Sequence, residues 1–267
     1  MAREKDWRVW LSGASSGLGA ALARELAPSG CRLALFARRG DELEKLRAEI
    51  ASAHPAAEIL VQPGDVRDRA RVCEAVREAE ARFGGIDVLI LNAGTGDSLF
   101  PDRFDAGIVE RIFAVNVLGP VYGIEAALPG MLARRSGKIV GISSIAGYRG
   151  LPGSAPYCAS KSALTTFLES LRLDLKGTGV QVITVTPGFV KTPLTDRNRY
   201  PMPFRQPAEK AARWIVRGIA RGKREIHFPK RLTVPWKIVR CLPGWLYEGA
   251  FGLLFPGGFR KEPSGET

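Results

Sequence analysis

A chain of 267 residues with 45% hydrophobic side chains, 30 glycines and 18 prolines can bury one sizeable core, and this composition excludes disordered and collagen-like classes. The net charge of +12 is uneven: residues 1–196 carry 24 basic and 22 acidic side chains, whereas residues 197–267 carry 15 and 5. Cys31, Cys73, Cys158 and Cys241 form no CxxC pair, and His54 and His227 lack Cys or acidic companions at ligand spacing, so no metal centre is expected and both histidines read as surface residues.

Arg3, Glu4, Lys5 and Asp6 follow Met1 and Ala2 and lead straight into an apolar strand, so no secretory leader is expected. A strand over 7–11 runs into a glycine-rich turn at 13–19, and a helix follows to about 28. A second strand over 32–37 precedes a charged helix over about 41–52. A third strand over 58–62 precedes a helix over about 68–83, and a fourth strand covers 86–91. Longer units follow: a helix over about 105–134, interrupted or bent at Pro129, a strand over 138–142, a helix over about 155–176 and a strand over 180–186. A loop rich in Gly and Pro then reaches residue 206, followed by a helix over 207–221 and a last strand over 225–228. Alternation of this kind predicts an α/β fold, a single-domain Rossmann-like doubly wound parallel sheet with helices on both faces. No run reaches 18 apolar residues, so no membrane-spanning helix is expected.

The loop Ser12, Gly13, Ala14, Ser15, Ser16, Gly17, Leu18, Gly19 lies between the first strand and first helix, where small residues let a dinucleotide pyrophosphate approach the helix N-terminus. At the end of the second strand, where an acid would bond the ribose of NAD, the chain has Phe36, Ala37, Arg38, Arg39. Two guanidinium groups there match the 2′-phosphate of NADP(H). Asp65 and Val66, beyond the third strand, are placed to meet the adenine. Asn92, Ala93 and Gly94 make a narrow turn beside the cofactor.

These motifs, with Asn116, Ser144 and a Tyr-x-x-x-Lys at Tyr157 and Lys161, appear together in one order, and the chain over about residues 7–228 resembles the short-chain dehydrogenase/reductase family. Ser12 and Leu91 are mild departures, standing where threonine and a second asparagine are common. Tyr157 and Lys161 are four apart on one helix face, and a nearby ammonium favours the phenolate, moving tyrosine toward useful acid-base strength. The resemblance implies that Ser144, thirteen residues before Tyr157, holds the substrate oxygen in preference to Ser143. It also implies that Asn116 binds a water relaying protons from Lys161. Pro187, Gly188, Val190 and Thr192 match the segment closing on the nicotinamide, with Thr192 bonding its carboxamide.

The expected activity is hydride transfer between NADP(H) and a ketone or secondary alcohol. An epimerase or NAD-linked alcohol dehydrogenase on the same fold, or a non-catalytic cofactor-binding or scaffolding protein, are the alternatives. Residues 193–206 read as a substrate lid in which Leu194, Tyr200, Met202 and Phe204 favour a hydrophobic small molecule. The resemblance implies a homodimer or homotetramer. Residues 1–230 form the expected catalytic domain and 231–267 a basic, apolar extension. Its Pro235, Pro243 and Pro256 divide it into two short helices, with Trp236, Trp245, Tyr247, Lys230, Arg231, Lys237 and Arg240 suited to an anionic membrane surface. Packing over the substrate pocket or a subunit interface is the alternative. No nucleic-acid partner is expected, and the expected location is the cytoplasm, with the inner face of a membrane as a peripheral site.

Overall fold

The computed structural model describes residues 6–196 and 201–254, so Tyr200 and Pro256 lie outside the described residues. Seven parallel strands form one sheet: β1 (Arg8–Ser12), β2 (Arg32–Ala37), β3 (Glu58–Pro63), β4 (Val88–Leu91), β5 (Gly137–Ile142), β6 (Val180–Pro187) and β7 (Glu225–Phe228). Their order is β3-β2-β1-β4-β5-β6-β7. The sequence order reverses between β1 and β4, so the loops leaving their carboxyl ends diverge and open a crevice there.

Helices cover both faces. α1 (Gly17–Leu26) and α2 (Gly40–Ala53) bury Leu22, Leu26, Leu43 and Ile50 against Leu11, Leu33 and Leu35. On the other face α3 (Arg69–Phe83) buries Val72, Val76 and Phe83 against Trp10, Ala34 and Phe36. Both faces of the central strands are therefore apolar, which is why they read as continuous hydrophobic runs.

The long middle helix differs from its sequence expectation. α4 (Ala106–Phe113), a π turn (Ala114–Leu118) and α5 (Gly119–Ala133) follow one another without a break. Pro129 sits inside α5 without ending it, on the exposed side. The irregularity falls at the π turn instead, where Asn116 is fully buried. By length and apolarity residues Ala106–Ala133 match a membrane-crossing helix, which the absence of an 18-residue apolar run did not foretell. Here Ile124, Ala127 and Met131 belong to the core.

The remaining helices are α6 (Ala155–Asp174), the single turn α7 (Pro193–Asp196), α8 (Ala208–Ala220), α9 (Lys230–Arg240) and α10 (Gly244–Leu254). The last two match the expected pair of helices, but Pro235 lies within α9 rather than dividing it, so Pro243 alone separates them. Two expected surface aromatics also turn inward. Trp236 packs against the cluster of Ile145, Tyr148 and Leu232, and the Tyr247 hydroxyl donates to the Gly150 carbonyl at 2.6 Å. His227 is likewise not a surface residue but a half-buried member of β7.

Candidate active site

The glycine loop is pinned to β2 by its backbone, since Gly13 N–H donates to the Phe36 carbonyl at 2.8 Å. Gly13 has φ +68°, and a Cβ there would lie 2.7 Å from Ala93 Cα. At Gly19 a Cβ would lie 2.1 Å from the Gly13 carbonyl oxygen. No larger side chain fits either place without moving backbone, so the loop keeps a close approach to the start of α1. Ser16 is the N-cap of α1 but makes no side-chain cap bond, and no acid occupies the first turn. The first N–H groups of that helix therefore present an anion-binding end.

Ser15 and Ser16 face a cation instead. Arg39 Nη2 donates to Ser15 Oγ at 3.1 Å and Ser16 Oγ at 2.7 Å, while Arg38 is exposed beside it. Asp65 is engaged by Arg67, whose backbone N–H bonds it at 3.0 Å and whose Nη2 bonds it at 2.7 Å. The Arg67 hydrogen bond holds the Asp65 carboxyl below the usual carboxylate range. Val66 is buried against Gly119.

Ser12, the first residue of the loop and a mild departure in sequence, also joins that loop to β4. Its hydroxyl accepts from the Asn92 and Ala93 backbone N–H groups at 3.1 and 3.2 Å, while Asn92 Nδ2 donates back to the Ser12 and Gly13 carbonyls at 3.1 and 3.2 Å. This exchange locks the end of β4 onto the glycine loop.

α6 and β5 bring the remaining groups together. Lys161 is buried, and its Nζ donates to the Ile142 carbonyl at 2.8 Å and lies 5.8 Å from the centre of the Tyr157 ring. Burial lowers the Lys161 ammonium from its ordinary value to about 8. The Tyr157 ring also lies against Gly96, where a Cβ would be 3.2 Å from Cδ2. Gly94 stands between Lys161 and Asn116: a Cβ there would sit 3.5 Å from Lys161 Nζ and 3.6 Å from Asn116 Oδ1. The Asn116 amide is committed, accepting from Thr95 N–H at 2.9 Å and donating to the Thr95 carbonyl and Ser160 Oγ, each at 2.9 Å. Thr95 and Ser160 escaped the sequence reading, though Ser160 lies one turn beyond Tyr157 on the same helix.

The two serines after β5 have different environments. Ser143 is buried, with its hydroxyl bonded to the Lys161 carbonyl at 3.0 Å and to Thr165 Oγ1 at 2.7 Å. Ser144 is part-exposed, and its oxygen accepts from Ala146 N–H at 3.1 Å, which leaves its proton free to donate. Beyond β6, Gly188 N–H donates to the Phe228 carbonyl at 2.7 Å, and Val190 makes a bridge to Gln206. Thr192 touches the glycine loop, since a Cβ on Gly17 would lie 3.1 Å from its side chain. Of the described lid residues, Leu194 and Met202 are half-buried and Phe204 is exposed.

Residues 8–202 match the family model for short chain dehydrogenases. The chain belongs to the short-chain dehydrogenase/reductase family. Among family relatives, an uncharacterized oxidoreductase of Myxococcus xanthus is 43% identical over 250 residues, covering 92% of this chain and 97% of the relative. One from Mycobacterium tuberculosis is 35% identical over 233 residues, covering 86% and 88%. A short-chain dehydrogenase/reductase of Burkholderia phymatum, solved in complex with NAD, shares the fold with a TM-score of 0.82 at 24% identity, covering 100% of this chain and 99% of that one. An alcohol dehydrogenase of Thermococcus sibiricus, solved with 5-hydroxy-NADP, gives 0.74 at 25% identity, covering 82% and 94%. As a short-chain dehydrogenase/reductase, the chain is an oxidoreductase with a nicotinamide-binding fold.

Proposed function

We propose that this chain is an NADP(H)-dependent oxidoreductase acting on a ketone or secondary alcohol of hydrophobic character. The observation that carries the cofactor choice is Arg39, held over the glycine loop by Ser15 and Ser16 with Arg38 beside it. A guanidinium so positioned pairs with the 2′-phosphate, whereas no acid at the end of β2 awaits a free ribose hydroxyl.

Gly13, Ser15, Ser16, Gly17, Leu18 and Gly19 would hold the pyrophosphate, Asp65 and Val66 the adenine, and Asn92, Ala93 and Gly94 the adjoining ribose. Pro187, Gly188, Val190 and Thr192 would hold the nicotinamide, with Tyr157 and Lys161 reaching its ribose. When bound, the cofactor supplies or accepts the hydride. In the reducing direction Ser144 donates its free proton to the substrate oxygen as a hydrogen bond, and Tyr157 transfers its own proton to that oxygen. The buried Lys161 ammonium stabilises the phenolate left behind. Asn116 keeps the turn at Gly94 and Thr95 against Lys161, and the proton is replenished through water at that turn. The described lid residues, 193–196 and 201–206, would cover the substrate. The exposed Leu118, Leu132, Phe167 and Leu173 on the α4–α6 surface support self-association. The buried thiols of Cys73 and Cys158 suit the reducing cytoplasm.

Two experiments test this reading. NADPH oxidation is followed over long-chain ketones, acyl thioesters, steroids and sugars, with turnover expected for apolar carbonyls; turnover confined to sugars would defeat the hydrophobic-substrate proposal. Replacing Arg38 and Arg39 together with alanine should weaken NADPH by at least about tenfold, because charge-assisted bonds to phosphate are lost, and leave NADH nearly unchanged. Equal losses for both cofactors in a fluorescence titration would overturn the NADP assignment.

A further inference from the structure

We propose that the outer faces of α9 and α10 form a docking surface for an anionic lipid bilayer. Apart from Glu248, every residue of α10 is apolar or glycine except the tyrosine that anchors it. The anchored side is defined by Tyr247 and Phe251, one turn apart with ring centres 5.8 Å from each other. Tyr247 bonds to Gly150, so this side faces the protein. Helical spacing puts Trp245, Leu246, Gly249, Gly252 and Leu253 on the opposite side, with the exposed Glu248 at its edge as the one charge of the helix. Trp245 is 74% exposed and Leu253 85% exposed. A helix apolar all round is stable in a core or against a membrane, and this one has only one side covered by the described chain.

α9 extends the surface with cations. Val234 and Ile238 are one turn apart and exposed, Ile238 to 65%. Lys230 lies one turn before Val234, and Arg231 lies beside it; both are exposed, with no acid partner among the described residues. The one acid of β7, Glu225, is already paired with Lys237. Exposed cations bordering an apolar face match phosphate headgroups around an acyl boundary, whereas the buried centre of a protein interface is depleted of lysine. Trp245 is the residue type that settles at headgroup depth, and the exposed Leu253 and Ile238 are the side chains suited to the acyl boundary.

The surface is strapped to the catalytic region. Arg149 lies in the loop between Ser144 and Tyr157, and its guanidinium donates to the Val239 carbonyl at 3.1 Å and to the Leu242 carbonyl, at the C-terminal end of α9. The same guanidinium lies 5.1 Å from the centre of the Tyr247 ring. A docked bilayer would therefore lie beside the substrate entrance and deliver an apolar substrate to it. That delivery rests on the proposed function; the docking does not.

The test is co-sedimentation of the full chain with phosphatidylcholine vesicles containing or lacking phosphatidylserine. At low salt most of the protein should pellet with the anionic vesicles and stay in solution with the neutral ones. Trp245→Glu with Leu253→Glu should lower partitioning at least tenfold, and Lys230→Ser with Arg231→Ser about 25-fold, from roughly fivefold per surface cation. Circular dichroism and NADPH binding show that each variant is folded. A wild-type chain that stays in solution overturns the proposal, as does undiminished pelleting of the glutamate variant. If light scattering instead shows that this variant loses a self-association of the wild type while neither binds vesicles, a second copy is the occupant. Soluble protein with full NADPH turnover would end the docking proposal and leave the enzymatic one standing.

Discussion

Replacing Tyr157 with phenylalanine should lower turnover by about 100- to 10,000-fold while NADPH affinity changes less than about threefold. The ring would keep its place against Gly96 and near Lys161, because those contacts belong to the ring carbons rather than the hydroxyl. What disappears is the proton that meets the developing charge on the substrate oxygen. Ser144 still offers its hydrogen bond to that oxygen, so a residual rate remains. Steady-state kinetics with a titration of NADPH binding separates the two effects, and near-wild-type turnover would remove Tyr157 from the mechanism.

Lys161→Met should produce the opposite pairing of effects: turnover falls at least about 100-fold, yet the folded protein becomes more stable. Burial holds this ammonium at about 8, whereas its ordinary value is 10.5. That difference disfavours the folded state by about 3 kcal/mol wherever both states carry the proton, which is below pH 8. Between pH 8 and 10.5 the unfolded chain still binds a proton that the native chain has released, so native stability rises with pH through that window. Methionine fills a similar volume without charge and removes the penalty, while leaving the Ile142 carbonyl without its donor returns roughly 1 kcal/mol. A net gain of about 2 kcal/mol at pH 7, and a flatter stability profile from pH 8 to 10.5, should appear in urea denaturation. An unchanged pH profile would show that Lys161 is not the group responsible.

Much of this was legible because the relevant signals are local. β2 and β7 fall where alternation of apolar runs and turn residues puts them, since a strand covered on both faces cannot hide its composition. Tyr157 and Lys161 are related by helical spacing alone. The choice of Ser144 over Ser143 came from resemblance alone; the different bonds of the two hydroxyls, Ser143 to the Lys161 carbonyl and Thr165, Ser144 to Ala146 N–H, depend on the fold and have no trace in sequence. The π turn at Ala114–Leu118 left no such trace, because it changes hydrogen-bond register without demanding a breaker residue. Pro235 and Pro129 misled in the other direction: each lies on an exposed helix side, where only a backbone bond is lost. Which aromatics of α10 face inward was also unreadable. A helix apolar on all sides has no preferred face until a partner 97 residues away, the Gly150 carbonyl, chooses one.

The clip made by Ser143 has a consequence for how this enzyme can change. By tying the end of β5 to the Lys161 carbonyl and Thr165, it fixes the catalytic helix from below, and Gly147 lies so near that an added Cβ would sit 2.9 Å from the Lys161 carbonyl carbon. The chain between Tyr148 and Ser154 carries none of that burden. Its ties run to the periphery instead: the Gly153 carbonyl accepts from Leu99 N–H at 3.0 Å, the Gly150 carbonyl accepts from Tyr247, and Arg149 holds the Val239 carbonyl, so a shift in this loop is passed to the tail rather than to the clip under Lys161.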